Sequence, residues 1–143
     1  LIDLGVKNYE TPNLVFDNNS YQRLLLLGRA LQNMKVFPNY KTAFTYVTNA
    51  ELKSHQYAKG DTEGFVNYGL TIKGIIFAAI FIENADEGII KISFRSQGDF
   101  DVNTFAREHF NGGGHKNAAG GKSFESLTDT IKRFETLISK ITI

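Results

Sequence analysis

The sequence predicts an α/β fold, with a small mixed β-sheet of about four to five strands covered by helices and preceded by a connector helix. Three observations carry that expectation. A nearly continuous apolar run at 74–82 reads as a strand buried on both faces, helical apolar spacing recurs at 21–31, 102–110 and 127–141, and strand-like and helix-like segments are mixed along the chain. The chain has 143 residues, 42% of them hydrophobic, which is enough for one real core.

Residues 1–19 contain Gly5, Pro12 and an Asn/Asp cluster at 17–19, and read as a connector with at most a short helical remnant. Ser20 then opens a helix whose apolar face is expected at Tyr21, Leu24, Leu25, Leu27 and Leu31, stopping before Pro38. Ala43 to Thr48 alternates and is rich in strand formers; Thr48-x-x-Glu51 fits a capping box for a short helix. Asp61-Thr62-Glu63-Gly64 reads as a turn opening a second short helix through Tyr68, where Glu63 either caps that helix or meets a ligand.

The run Gly74–Ile82 is the expected central strand, and Asn84-Ala85-Asp86-Glu87 turns it into Gly88–Arg95 as a hairpin. In that second strand Ile90, Ile92 and Phe94 fall on one face, and Lys91, Ser93 and Arg95 on the other. A polar stripe is thereby displayed. Asp101 caps a helix with Val102, Phe105, Ala106 and Phe110 turned inward, Ala118–Phe124 reads as an edge strand, and Ser126 caps a last helix with Leu127, Ile131, Phe134, Leu137 and Ile141 as its stripe.

Composition narrows the function. Zero Cys excludes disulfides, thiolate catalysis and cysteine zinc sites. The formal net charge of +1 gives no general attraction to long duplex DNA or to acidic membrane, so anion binding has to be local. No stretch approaches a membrane span and no secretory signal is visible, so a cytoplasmic protein without a membrane partner is expected. The chain begins Leu-Ile-Asp-Leu-Gly and its one methionine is Met34, which suggests a piece of something longer.

The residues that carry chemistry centre on Asn111-Gly-Gly-Gly-His-Lys-Asn-Ala-Ala-Gly-Gly121. A helix C-cap needs one glycine, which accounts for Gly112 and leaves Gly113, Gly114 and His115 over. Successive bare N–H groups make an anion-binding concavity, and an imidazole adds a further donor. Two better-known phosphate loops are excluded by spacing, because a P-loop ending in Gly121-Lys122-Ser123 needs glycine where Lys116 stands, and a dinucleotide fingerprint from Gly112 needs glycine where Asn117 stands.

Arg95 is the strongest partner for this loop, since a guanidinium clamps phosphate bidentately; the competing reading pairs it with Asp99 or Asp101 on the surface. His55, His109 and His115 show no metal-ligand spacing, and His109 reads as a helix-end residue. A serine nucleophile elbow is absent. Phe65, Tyr68 and Phe94 are candidates for base stacking whose competing reading is ordinary core.

The ordered set Asp-Thr-Glu-Gly-Phe-Val-Asn (61–67), Lys-Ile-Ser-Phe-Arg-Ser (91–96), Asp-Val-Asn (101–103) and Phe-Asn-Gly-Gly-Gly-His-Lys-Asn-Ala-Ala-Gly (110–120) resembles the C-terminal DHH-associated domain of DHH phosphoesterases. Within them it is most similar to the oligoribonucleases and pAp phosphatases called nanoRNases, with RecJ-type exonucleases as relatives. The resemblance covers about 38–143 and implies that 1–37 is the tail of a catalytic domain missing from this chain plus the connector helix.

It further implies a division of labour. The missing N-terminal domain, present in cis, would carry the Asp-His-His motif and manganese, leaving this chain with no metal and no catalytic residue. This domain would hold a short single-stranded RNA or a nucleotide phosphate through Arg95, Gly112, Gly113, Gly114, His115 and Asn117, with Ser93 and Lys91 on the same stripe. A homodimer is compatible with the resemblance. Alternatives from the same relatives are a non-catalytic nucleic-acid-binding module, or a parent enzyme acting on cyclic dinucleotides or single-stranded DNA.

Overall fold

The computed structural model describes residues 20–143, so the expected connector at 1–19 lies outside the described residues. Helix α1 (Tyr21–Gln32) is capped by the Ser20 hydroxyl, which accepts from the Arg23 N–H. Strand β1 (Lys35–Phe37) follows, then a 3₁₀ turn at Pro38–Tyr40, β2 (Thr42–Val47), α2 (Asn49–Ser54), α3 (Asn67–Leu70), β3 (Phe77–Asn84), β4 (Ile89–Ser96), α4 (Val102–His109), β5 (Gly113–His115), β6 (Ala118–Ser123) and α5 (Leu127–Ile138). The strands form one sheet in the order β1-β2-β3-β4-β6-β5, parallel only between β2 and β3. Six strands are thus present, β1 and β5 being three-residue strands at the two edges.

One face of the sheet is filled by phenylalanine. Phe44, Phe77, Phe81 and Phe94 meet Phe105 and Phe110 from α4 and its C-terminal end, and Phe134 from α5, with ring centroids 5.1–6.4 Å apart around Phe134. Each of these rings buries on the order of 150–250 Å², so this layer is the main source of stability. The opposite face is covered over β2 and β3 by α1, α2 and the segment around α3, through Leu26, Ala30, Leu52, Phe65 and Val66 against Val47, Ala78 and Ile80.

Two expectations are corrected. Strand β6 is not an edge strand, because the glycine run itself pairs as β5 outside it. The buried face of α1 is also different. Leu26 and Ala30 are buried, whereas Tyr21, Leu24, Leu25 and Leu31 remain exposed. With four successive leucines the helix has apolar side chains on most sides, and the small Ala30 allows close approach, letting the Thr45 hydroxyl donate to the Ala30 carbonyl. Asn33 secures that docking by donating to the Tyr46 carbonyl and to Glu51.

The expected capping box is present in both halves, Thr48 accepting from the Glu51 N–H and Glu51 from the Thr48 N–H. Segment 61–66 is a set of turns and the helix begins only at Asn67. Its N-cap makes no side-chain hydrogen bond, so Glu63 does not cap it; the Glu63 carbonyl instead accepts from Arg23 at 2.6 Å. Gly69 in α3 lies so close to the sheet that a Cβ there would come within 2.9 Å of the Ala78 Cβ and 3.5 Å of the Ala43 Cβ.

Candidate anion-binding site

Strand register assembles the site. Ala43 pairs with Ala78, Ala78 with Arg95, Arg95 with Ala118 and Ala118 with His115, a single row across five strands. Residues directly opposite one another share a face, and strands lie about 4.8 Å apart, so Arg95 and His115 sit about 10 Å from each other with only the Ala118 methyl between them. The next row runs Thr45, Ile80, Ser93, Gly120 and Gly113, and the one beyond it Val47, Ile82, Lys91 and Lys122. All three rows change character between β3 and β4.

On the β2–β3 side these rows are under helices, and Ala43, Thr45, Val47, Ala78 and Ile80 are buried. On the β4–β6–β5 side Lys91, Lys122 and His115 are exposed, while Ser93, Arg95, Ala118 and Gly120 are partly so. A Cβ on Gly120 would touch only the Ile92 carbonyl, so the floor is open above it. Helix α3 reaches β4 as well as β2 and β3, and its Gly69 lies over Ala78, the residue opposite Arg95, so α3 stands as the wall beside Arg95.

Arg95 has no acidic partner among the described residues. One of its terminal nitrogens donates to the Phe94 carbonyl at 2.9 Å, whereas Asp99 is taken by Lys116 at 3.2 Å and Asp101 caps α4 through the Thr104 N–H. The surface-pair reading of this arginine is therefore set aside. Lys91 is paired with Glu87 at 3.4 Å, both side chains being 56% exposed, a geometry that contributes little.

The expectation of bare amides needs correcting. Gly112 donates its N–H to the Ala106 carbonyl at 3.2 Å, and Gly114 donates to the Asn103 side-chain oxygen at 2.8 Å. Close packing explains these two glycines, since a Cβ on Gly112 would lie 1.9 Å from the Gly120 carbonyl oxygen and one on Gly114 2.7 Å from that of Ala118. Their task is to let two backbones meet. Asn117 is similarly engaged, its amide donating to the Ser96 hydroxyl at 2.8 Å and the Gly98 carbonyl at 3.2 Å. With Val102 donating to the Lys116 carbonyl at 2.8 Å, the β5–β6 turn is fixed to the loop that precedes α4.

Sequence reasoning missed two residues at the rim. Asn103 holds the Gly114 N–H, and Arg107 donates through its Nε to the same Asn103 oxygen at 3.2 Å. Arg107 borders Gly113, whose Cβ would lie 3.5 Å from the arginine Nε, and no partner engages its terminal nitrogens among the described residues. Asn103 stood inside a quoted motif, but only tertiary packing shows what it holds. Of the stacking candidates, Phe65 and Phe94 are core and Tyr68 is 44% exposed. His109 ends α4 against Phe105, and His55 bonds the Glu51 carbonyl.

Three of the motif segments, 91–96, 101–103 and 110–120, thus meet around one half-face, while 61–67 packs over its sheltered neighbour through Phe65 and Val66. The DHHA1 domain family matches residues 39–140, most of the chain. This chain is a DHHA1 domain. Among solved structures it is similar to an exopolyphosphatase-related protein from Bacteroides fragilis, 43% identical with a TM-score of 0.84, covering 88% of this chain and 36% of that one. A pGpG-specific phosphodiesterase from Vibrio cholerae shares the fold at 15% identity and a TM-score of 0.58, covering 83% of this chain and 38% of that one.

A 3′,5′-cyclic-nucleotide phosphodiesterase of Helicobacter pylori is 28% identical over 135 residues, covering 82% of this chain and 37% of the relative. A membrane protein and ribosomal bL9 fusion protein of Onion yellows phytoplasma is 27% identical over 94% of this chain and 15% of its own length. The chain therefore spans a third or so of most of these relatives and less of the last. No helix among the described residues is long and apolar enough to cross a membrane.

Proposed function

We propose that this DHHA1 domain grips a phosphate of a short oligoribonucleotide, or of pAp, and presents it to the metal centre of another domain in the same polypeptide. The observation that carries this reading is the row Arg95, Ala118, His115 on an open, walled half-face with no carboxylate among the described residues paired to the arginine. The phosphoesters named for the Vibrio and Helicobacter relatives favour the same class of ligand. Arg95 supplies the bidentate donor, His115 a ring N–H from the neighbouring hairpin, and the small Ala118 and Gly120 leave room for the ligand between them. A balanced net charge suits a ligand with few phosphates.

Manganese enters this proposal only as the other domain's ion. Among the described residues there is no group of three or more His, Asp or Glu side chains placed to hold a metal ion. When bound elsewhere, the ion would supply an activated water. The residues of this chain bind, orient and hold the phosphate. The setting in view is the cytoplasm, where short RNA fragments arise.

The reading is tested by titrating the chain with pAp and with diribonucleotides while following backbone amide NMR signals. Shifts centred on Arg95, Gly113–His115 and Gly120 are expected, and their absence overturns the proposal. Arg95→Ala should weaken binding ten- to a hundredfold, the worth of about 1.5–3 kcal/mol for a hydrogen bond to a charged group. Incubation of the chain alone with Mn²⁺ and di- to pentanucleotides should give no hydrolysis, whereas turnover would refute the division of labour.

A further inference from the structure

The open half-face does not end at Arg95. Four residues along β4, about 13 Å away at 3.3 Å per residue, Lys91 lies directly opposite Lys122 on β6. Like charges at opposed positions repel, so this juxtaposition is costly unless an anion sits over it. Neither lysine is held by a strong pair among the described residues. Lys91 has only the exposed contact to Glu87, and Lys122 lies 5.8 Å from the Phe124 ring centroid.

Lys91 also forms one side of a cavity of about 480 Å³ between α2, the loop after it and the β3–β4 hairpin. That volume suits a nucleoside-sized ligand. Tyr57, 40% exposed, faces this space with Lys53, Lys59 and Thr62. Three carboxylates, Glu83, Asp86 and Glu87, line it as well; Glu83 accepts from the Asn49 N–H at 2.7 Å, and Glu87 accepts from the Asn84 side-chain amide at 3.3 Å besides its exposed contact to Lys91. The cavity is thus mixed in charge and suited to a base edge, while Lys91 on its wall and Lys122 opposite it on the neighbouring strand suit a phosphate.

We propose that this cavity is a second nucleotide subsite, where Lys91 and Lys122 hold a phosphate distal to the one at Arg95 and Tyr57 stacks on the attached base. The inference rests on the function proposed above and extends it to substrate length. Successive phosphates of an extended strand are spaced by several ångströms, so the span from Arg95 to Lys91 separates phosphates that are not adjacent. A dinucleotide reaches one site and a longer chain reaches both.

Titration of the chain with a ribodinucleotide and with a ribopentanucleotide tests this. The dinucleotide should shift Arg95 and His115 only, and the pentanucleotide should also shift Tyr57, Lys91 and Lys122 and bind at least tenfold tighter. A Lys122→Gln variant should lose most of that advantage while keeping dinucleotide affinity, and Tyr57→Phe should retain what Tyr57→Ala loses, as stacking requires. If both ligands bind equally and perturb only the Arg95 end, the second subsite is refuted and the proposed function stands. If neither binds, both fall together.

Discussion

The two halves of one sheet face make an internal comparison, because the same three rows of residues pass from shelter into the open. Over β2 and β3 each row position is small or apolar and lies under a helix; over β4 and β6 it becomes Arg95, Ser93 or Lys91 and then alanine, glycine or lysine. Burial changes at the same seam. A charged side chain costs several kcal/mol when desolvated without a partner, so the basic residues occur where the helices stop. The difference teaches that the site is a gap in the helical layer, with α3 marking where cover ends.

Breaking the sheltered half should have the largest effect. Ala43→Asp places a carboxylate under Gly69 at a fully buried position whose neighbours across the sheet are Val36 and Ala78, and should cost more than about 4 kcal/mol in urea denaturation, or prevent folding altogether. Further along the same row the contrasting result is expected. Arg95→Ala should leave stability within about 0.5 kcal/mol of the native chain while ligand affinity falls, a split that a structural role for the arginine would not produce.

Paired glycine substitutions sharpen the contrast. Gly69→Ala, whose new methyl meets the Ala78 Cβ at 2.9 Å, should destabilise by about 1–3 kcal/mol, whereas Gly120→Ala, with only the Ile92 carbonyl at 3.4 Å, should be close to neutral in melting experiments and lower ligand affinity by filling the floor. Equal costs at the two positions would mean that the half-face over Gly120 is not open.

The smallest effect concerns how the sheltered half is fastened. Burial around Glu51 opposes its ionisation but is outweighed by the Thr48 N–H, by Arg29 and by Asn33, so its carboxyl titrates below the ordinary value of 4.5. A depressed folded-state value means stabilisation that is fully present above pH 4.5 and lost as pH falls through the lower folded value. Under about 1 kcal/mol is expected from a partly exposed pair of this kind. Thermal melts of Glu51→Gln should therefore lie below those of the native chain at pH 7, and the gap should close in acid as pH falls through the depressed folded-state value.

What could be read from the sequence followed from local rules. Period-two alternation placed Lys91, Ser93 and Arg95 on one face, the 48–51 capping box was complete, and Asp101 and Ser126 capped the helices expected of them. Strand β5 was not legible, because Gly113 and Gly114 have no side chains to alternate and the run resembles a loop. Nor was β1, three residues before Pro38. The rim pair Asn103 and Arg107 depends on how α4 lies against β5, and register across the sheet depends on pairings that no single segment encodes. For α1, a surplus of leucine left several faces equally plausible, and contact with β2 chose among them.

The ties that bind Lys116 and Asn117 to the loop before α4 have a thermodynamic consequence. They tie the hairpin that carries His115 to the loop before α4, so the ligand proposed above would meet a turn already held in place. Ordering entropy has already been spent during folding, and the binding energy of a very small ligand need not be diverted to it. For a guest with only one or two phosphates to offer, that saving is a large fraction of the whole affinity.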